Sequence, residues 1–309
     1  MKHSYKFLTK CLPFILGGAL LTTVIGCLAF LLGYNSKTSW LNLSGAFSIL
    51  YIIALLATLG FAVYTSIKTD NIHITRIKKN SGFLKTAASL ACIITMFSFC
   101  FDFIKIIIGS YGGYEPFEPS RIARFIFTLP LSVYFLLMVL PSKFKRKKIK
   151  IPKAITYICS VSTILWCVIS ILAIYFYKGL ATMNITKIMH LLVYLSFAVF
   201  FLFEVKFELI KPSTKGYLIS GFTSFILSAG FTLTVWLSRI MGIIPKGKAF
   251  SDTELILTIL IGFYALARMY AIPKTMKHVL ENSDNSSFSS KFSRHSHKRH
   301  DGSELEQAN

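Results

Sequence analysis

The chain has 309 residues, 54% of them hydrophobic and 15% charged, with a mean hydropathy of +0.60. That is too apolar for a soluble domain of this size and is the composition of a membrane protein. Thirty-four Lys and Arg against thirteen Asp and Glu leave a net charge of +21. The charge falls between apolar runs rather than along one polar face, which sets nucleic acid aside as a partner. The six Cys are scattered through apolar segments, which excludes a secreted disulfide scaffold.

A helix rises about 1.5 Å per residue, so crossing roughly 30 Å of hydrocarbon takes about 20 apolar residues. Runs of that length fall at 12–34, 43–67, 83–109, 122–140, 154–177, 188–210, 217–242 and 253–272. They are continuously apolar, whereas barrel strands alternate, so the expected fold is all-α and polytopic with eight transmembrane helices. Pro13 and Pro152 are read as opening spans, and Pro141, Pro212 and Pro273 as following them.

In the first span a basic segment, Met1 to Lys10, precedes Val24-Ile25-Gly26-Cys27, which looks like a degenerate lipoprotein cleavage site. Apolar sequence continues past Cys27 as Leu28-Ala29-Phe30-Leu31-Leu32, giving full spanning length where a cleaved signal is shorter, so the span is expected to be retained. Lys and Arg then set the orientation. The N-terminal segment, the loops 68–82, 142–153 and 211–216 and the C-terminal tail hold 22 of them, and the alternate loops hold 6. The positive-inside rule places both termini in the cytoplasm. Lys143, Lys145, Arg146, Lys147 and Lys148 form the densest basic run, expected to lie against anionic inner-leaflet headgroups at about 1 kcal/mol per charge.

The two halves suggest a parallel 4+4 duplication. Tyr51 and Lys68 of span two register with Tyr194 and Lys211 of span six, Gly82-Phe83-Leu84 with Gly216-Tyr217-Leu218, and Pro130 falls opposite Gly262. Residues 1–280 form the transmembrane domain. From about Glu281 the chain becomes Ser-, His- and Lys/Arg-rich and then acidic, so 281–309 is expected to be a disordered cytoplasmic tail. Its His295, His297 and His300 lack Cys or acidic partners at ligand spacing and are read as part of a solvated basic tail, not a metal site.

Ionisable residues within spans are the default functional candidates, because charge in a bilayer is costly. Asp102 lies about 10 Å below the outer end of span three, Lys105 about 6 Å, and Arg239 about 5 Å below the outer end of span seven. With Arg121 and Arg124 at the start of span four they form an outer ring of cations around one carboxylate. Asp102, too short to snorkel, is expected to pair with Lys105, Arg124 or Arg239. The ring reads either as a cradle for an anionic or lipid headgroup or as snorkelling cations. Toward the cytoplasm, Glu204 and Glu208 share a face of span six near the depth of Arg268, as an interhelical ion pair or a gate. The midplane holds only hydroxyls such as Thr58, Thr95, Ser98, Ser196 and Ser228, which counts against proton coupling. His190 is read as interfacial, and the 28 Phe as lipid-facing or packing residues.

No nucleotide, zinc or nucleophile-elbow motif is present, so neither an enzyme nor a cofactor is expected. Two functional classes remain. One is a permease-type subunit or carrier for a lipid-like or anionic solute, and the other a non-transporting accessory, sensory or assembly component, each with room for protein subunits as partners. The 26 Lys against 8 Arg point to an AT-rich genome and a bacterial plasma membrane.

Overall fold

The computed structural model describes residues 2–35, 40–41, 45–69, 82–112, 119–140, 153–176, 185–209, 214–244 and 251–300. Side chains are described for 5–34, 41, 45–69, 82–104, 106–107, 122–140, 154–176, 185–206, 214–244 and 251–277. In order, the helices are α1 (Lys2–Gly33), α2 (Ala46–Lys68), α3 (Gly82–Gly112), α4 (Pro119–Val139), α5 (Lys153–Phe176), α6 (Ile185–Leu209), α7 (Thr214–Leu227), a π-helical segment (Ser228–Leu233), α8 (Thr234–Ile240) and α9 (Asp252–His300). A two-residue antiparallel pair, β1 (Tyr34–Asn35) with β2 (Trp40–Leu41), links α1 to α2. Eight helices, with α7, the π segment and α8 counted as one, are long and apolar enough to cross a membrane. The chain is that of a multi-pass membrane protein.

Side-chain exposure follows from apolar surroundings rather than water. Leu56, Ile93, Ile158, Leu202, Phe14 and Phe176 are among the large apolar residues turned outward, while hydroxyls such as Thr22, Thr65, Thr95 and Ser224 and the charged Glu204 and Arg268 are buried. Lipid explains this inversion, because hydrocarbon solvates Leu and Ile as well as a protein core does. Burial also ranks the helices. The span Thr214–Ile240 is 83% buried and Asp252–Lys277 78%, against 22% for Gly82–Ile104, so α7–α8 and α9 form the centre of the bundle. Around them α3, α4, α5 and α6 pack in succession, α3 and α6 also touch α9, and α1 and α2 close the side against α7 and the π segment.

Two proline expectations change. Pro13 lies inside α1, which begins at Lys2, and Pro273 lies inside α9, which continues beyond it. Each proline removes one intrahelical donor and so is compatible with an unbroken helix where neighbouring helices support it. Because α9 continues through Pro273, its spanning part reaches Lys277, and Arg268 lies deeper than a boundary at 272 implies. The α9 backbone runs to His300, over much of the segment expected to be disordered, and 301–309 lie outside the described residues.

The 4+4 duplication finds no support in the packing. α6 packs on α7, but their counterparts α2 and α3 are not close neighbours. Gly26 and Cys27, the suspected cleavage site, sit within the contact of α1 with α2 and the α7–α8 span. A Cβ at Gly26 would lie 2.8 Å from Thr234 Cγ2 and 2.9 Å from the Tyr51 ring, so only glycine allows this approach.

Candidate functional site

The helix ends divide into two groups. One contains the end of α1 at Gly33 and the start of α9 at Asp252, and its loops are poor in Lys and Arg; the opposite end is rich in them. A buried charged cluster lies toward each end, and the same three helices, α4, α6 and α9, build both.

Toward the Lys/Arg-poor end the centre is Glu254. Arg124 Nη1 of α4 donates to Glu254 Oε1 at 2.7 Å, and Tyr194 OH of α6 donates to the same oxygen at 2.9 Å. Ser251-Asp252-Thr253-Glu254 places this carboxylate: Ser251 Oγ accepts the Glu254 backbone N–H at 3.2 Å, and Leu255 N donates to Ser251 O at 3.1 Å. This is a helix N-cap with an acid three residues on. Thr128 Oγ1 donates to Arg124 O at 2.8 Å and accepts from Trp166 Nε1 of α5 at 3.2 Å, which fixes the turn that carries Arg124. Arg239 Nη1 donates to Asp252 Oδ1 at 3.2 Å. Asp102 is within electrostatic range of Arg124.

Two further carboxylates join the charged residues expected at this end. Asp102, Arg124 and Arg239 do come to one end of the bundle, but Arg124 takes Glu254 and Arg239 takes Asp252, so three carboxylates share the site instead of one. The side chains of Lys105 and Arg121 lie outside the described residues. His190 is a further correction: it is 1% exposed and meets the Phe231 ring edge-on at 5.0 Å, so it belongs to the interior and not to the membrane interface. Lys187, in the first turn of α6, is buried with its ammonium 6.0 Å from the Tyr175 ring centroid.

Toward the Lys/Arg-rich end, Arg268 of α9 and Glu204 of α6 form the expected ion pair, both 2% exposed or less. Three tyrosines complete it. Tyr217 OH of α7 donates to Glu204 Oε2 and accepts from Arg268 Nε at 3.2 Å. Tyr264 OH donates to Glu204 Oε1 at 3.4 Å, and Tyr134 OH of α4 lies 3.2 Å from Tyr264 OH. The carboxylate thus accepts from three donors, which makes the pair tolerable in hydrocarbon. Glu208, the second expected acid, has its side chain outside the described residues. The basic run Lys143, Lys145, Arg146, Lys147 and Lys148 lies outside them altogether.

Glu254 and Arg268 are separated by about 21 Å along α9. Along the helices between the two clusters Leu131 of α4 and Phe197, Phe200 and Phe201 of α6 are buried, Phe201 edge-on to Tyr134 and Phe200 to Tyr264. No group of three or more His, Cys, Asp or Glu able to hold a metal occurs among the described residues. No known protein family, no curated protein and no solved structure matches the chain.

Proposed function

We propose that the protein is a carrier of a lipid-like solute, with α4, α6 and α9 lining its path and the two charged clusters acting as gates. The observation that carries this reading is the double use of the same three helices: each places one polar anchor in the Arg124–Glu254 cluster and another in the Glu204–Arg268 cluster. Ion pairs of this kind hold helices together when intact and release them when one partner is taken away. The apolar, aromatic filling between the gates suits an apolar body better than a small anion, and Arg124 and Arg239 already face carboxylates. With both termini cytoplasmic, the Arg124–Glu254 gate faces outward and the Glu204–Arg268 gate inward, and the basic run 143–148 lies on anionic headgroups of a bacterial plasma membrane.

A second reading, a non-transporting accessory, sensory or assembly component, is favoured by the pairing itself, since Glu254, Asp252 and Glu204 each face an arginine, as packing alone demands. Thiol labelling separates the two. In a background lacking the six native cysteines, Leu131→Cys places a probe between the gates. Glu254→Gln is expected to raise its reaction with an impermeant maleimide from the Lys/Arg-poor side, and Glu204→Gln from the other side. No increase with either variant, in protein that remains monodisperse, would leave the non-transporting reading standing.

A further inference from the structure

α7, the π segment and α8 form one rod of helical backbone: the residues flanking the π segment, Leu227 (φ −66°, ψ −40°) and Thr234 (φ −58°, ψ −49°), both lie in the right-handed helical region. A π turn closes from residue i to i+5 where an α turn closes from i to i+4, so it holds one residue more than the turns on either side. Side chains inside it lose their usual backbone partners, and threonine shows the effect. Elsewhere in the bundle Thr58, Thr65, Thr128 and Thr275 each donate to the carbonyl four residues back at 2.8 Å. Thr232, inside the π segment, is fully buried and its hydroxyl has no hydrogen-bond partner. The carbonyl it would meet in α register is that of Ser228.

The π form is held from outside. Thr23 Oγ1 of α1 lies 2.9 Å from Ala229 O and 2.9 Å from Ala19 O of its own helix, so its proton serves either acceptor. In an α form Thr23 keeps Ala19 O and Thr232 gains Ser228 O. Each form therefore keeps a hydrogen bond that the other forgoes, Thr23 to Ala229 O in one and Thr232 to Ser228 O in the other, which is the balance of a two-state element. The two sides of the segment are anchored unequally. Ser224 Oγ donates to Ser196 O of α6 at 2.9 Å and Ser228 Oγ to Thr258 O of α9 at 3.0 Å, which fixes α7 and the start of the π segment. Beyond it, α8 carries Arg239 to Asp252, whose side chain is 47% exposed.

We infer that the π segment is a register switch: Ser228–Leu233 passes between the π form and an α form in which Thr232 donates to Ser228 O, and α8 turns relative to α7 as it does so. Taking the extra residue out of the turn rotates α8 by one residue's worth, about 100°, which carries Arg239 off Asp252. The switch stands on these hydrogen bonds. Its use as the opening motion at the Arg124–Glu254 gate rests on the carrier reading.

In full-length reconstituted protein lacking the six native cysteines, spin labels at Ile240→Cys of α8 and Phe176→Cys of α5, both exposed at the same end of the bundle, report the turn as a second distance. Thr23→Val is expected to raise the population of that distance about threefold, the effect of one interhelical hydrogen bond. Adding Thr232→Val, which deletes the hydroxyl that the α form satisfies, is expected to reverse the rise, and adding Thr232→Ser, which keeps it, to leave the rise in place. Val keeps the shape of Thr, and a melt close to that of the parent chain shows each variant folded. One distance common to the parent, Thr23→Val and the double variants would overturn the switch, as would a rise that Thr232→Val does not reverse. A second distance that follows both substitutions while Leu131→Cys stays unreactive in Glu254→Gln and Glu204→Gln would leave the switch standing and sink only the carrier reading.

Discussion

The α4–α6–α9 seam and the α1–α2–π contact bury polar groups in opposite ways. In the seam, full charges are matched by opposite charges and donors meet acceptors: Glu204 alone receives Arg268, Tyr217 and Tyr264. In the contact the hydrogen bonds join neutral groups, the hydroxyls of Thr23 and Tyr51 reach the carbonyls of Ala229 and Gly230, and Gly18 and Gly26 leave room for the side chains of Thr58, Thr234 and Tyr51. The contrast shows how a bilayer constrains the two kinds of group. An unpaired charge in hydrocarbon is expensive enough to demand a complete partner set, whereas a hydroxyl is satisfied by one carbonyl of its own or a neighbouring helix.

Breaking the seam should therefore cost most. Arg268→Ala leaves Glu204 as an uncompensated buried carboxylate, and a loss of about 3–5 kcal/mol is expected, read as a marked fall in Tm in detergent. Adding Glu204→Leu to Arg268→Met should recover most of that loss, because two apolar side chains leave no orphaned charge. If the double variant is no better than the single one, the cluster is held by something other than charge matching.

At the Arg124–Glu254 pair the effect should be smaller. Arg124 and Glu254 keep 21% and 10% of their side-chain surface exposed, so water partly takes over when one is removed. Arg124→Ala is expected to cost about 1.5–3 kcal/mol, by the same melt, with Arg124→Lys recovering a fraction because it cannot reproduce the planar fork.

In the central pair, Gly262→Ala drives a methyl into Ser228 Oγ, which already donates to Thr258 O at 3.0 Å. Overpacking of this kind costs about 1–3 kcal/mol and should appear in the melt without altering thiol accessibility at either end. Smallest of all, Tyr51→Phe removes one interhelical hydrogen bond to Gly230 O, with an expected cost of about 0.6–1.7 kcal/mol. A larger loss would mean that this bond also holds the π turn in place.

The two regions were not equally legible in the sequence. Continuous apolar runs give all eight spans, because spanning length in a bilayer is a one-dimensional requirement, although the first begins earlier and the last ends later than the runs imply. The Glu204–Arg268 pair was visible because charges inside apolar runs are rare and need partners. Glu254 escaped, since an acid in the first turn of a helix reads as an ordinary capping residue, although Ser251 three residues earlier is the signal that marks it. Tyr134, Tyr194, Tyr217 and Tyr264 were hidden among fourteen tyrosines, as nothing local distinguishes a phenol facing a carboxylate from one in the headgroup belt. The α1–α2–π contact was invisible for a different reason. Thr and Ser in apolar runs usually bond to their own helix, and a π turn has no sequence pattern of its own.

The most direct test of the two-gate account is a pair of distance measurements between spin labels in reconstituted protein, one across each end of the α4–α9 contact. Ile126 with Ile256 reports the Lys/Arg-poor end, and Leu136 with Tyr270 the opposite end. The account predicts that Glu254→Gln broadens and lengthens the first distance while the second stays closed, and that Glu204→Gln does the reverse. Distances at both ends that remain single and unchanged in both folded variants would contradict it and make the two ion pairs fixed packing elements.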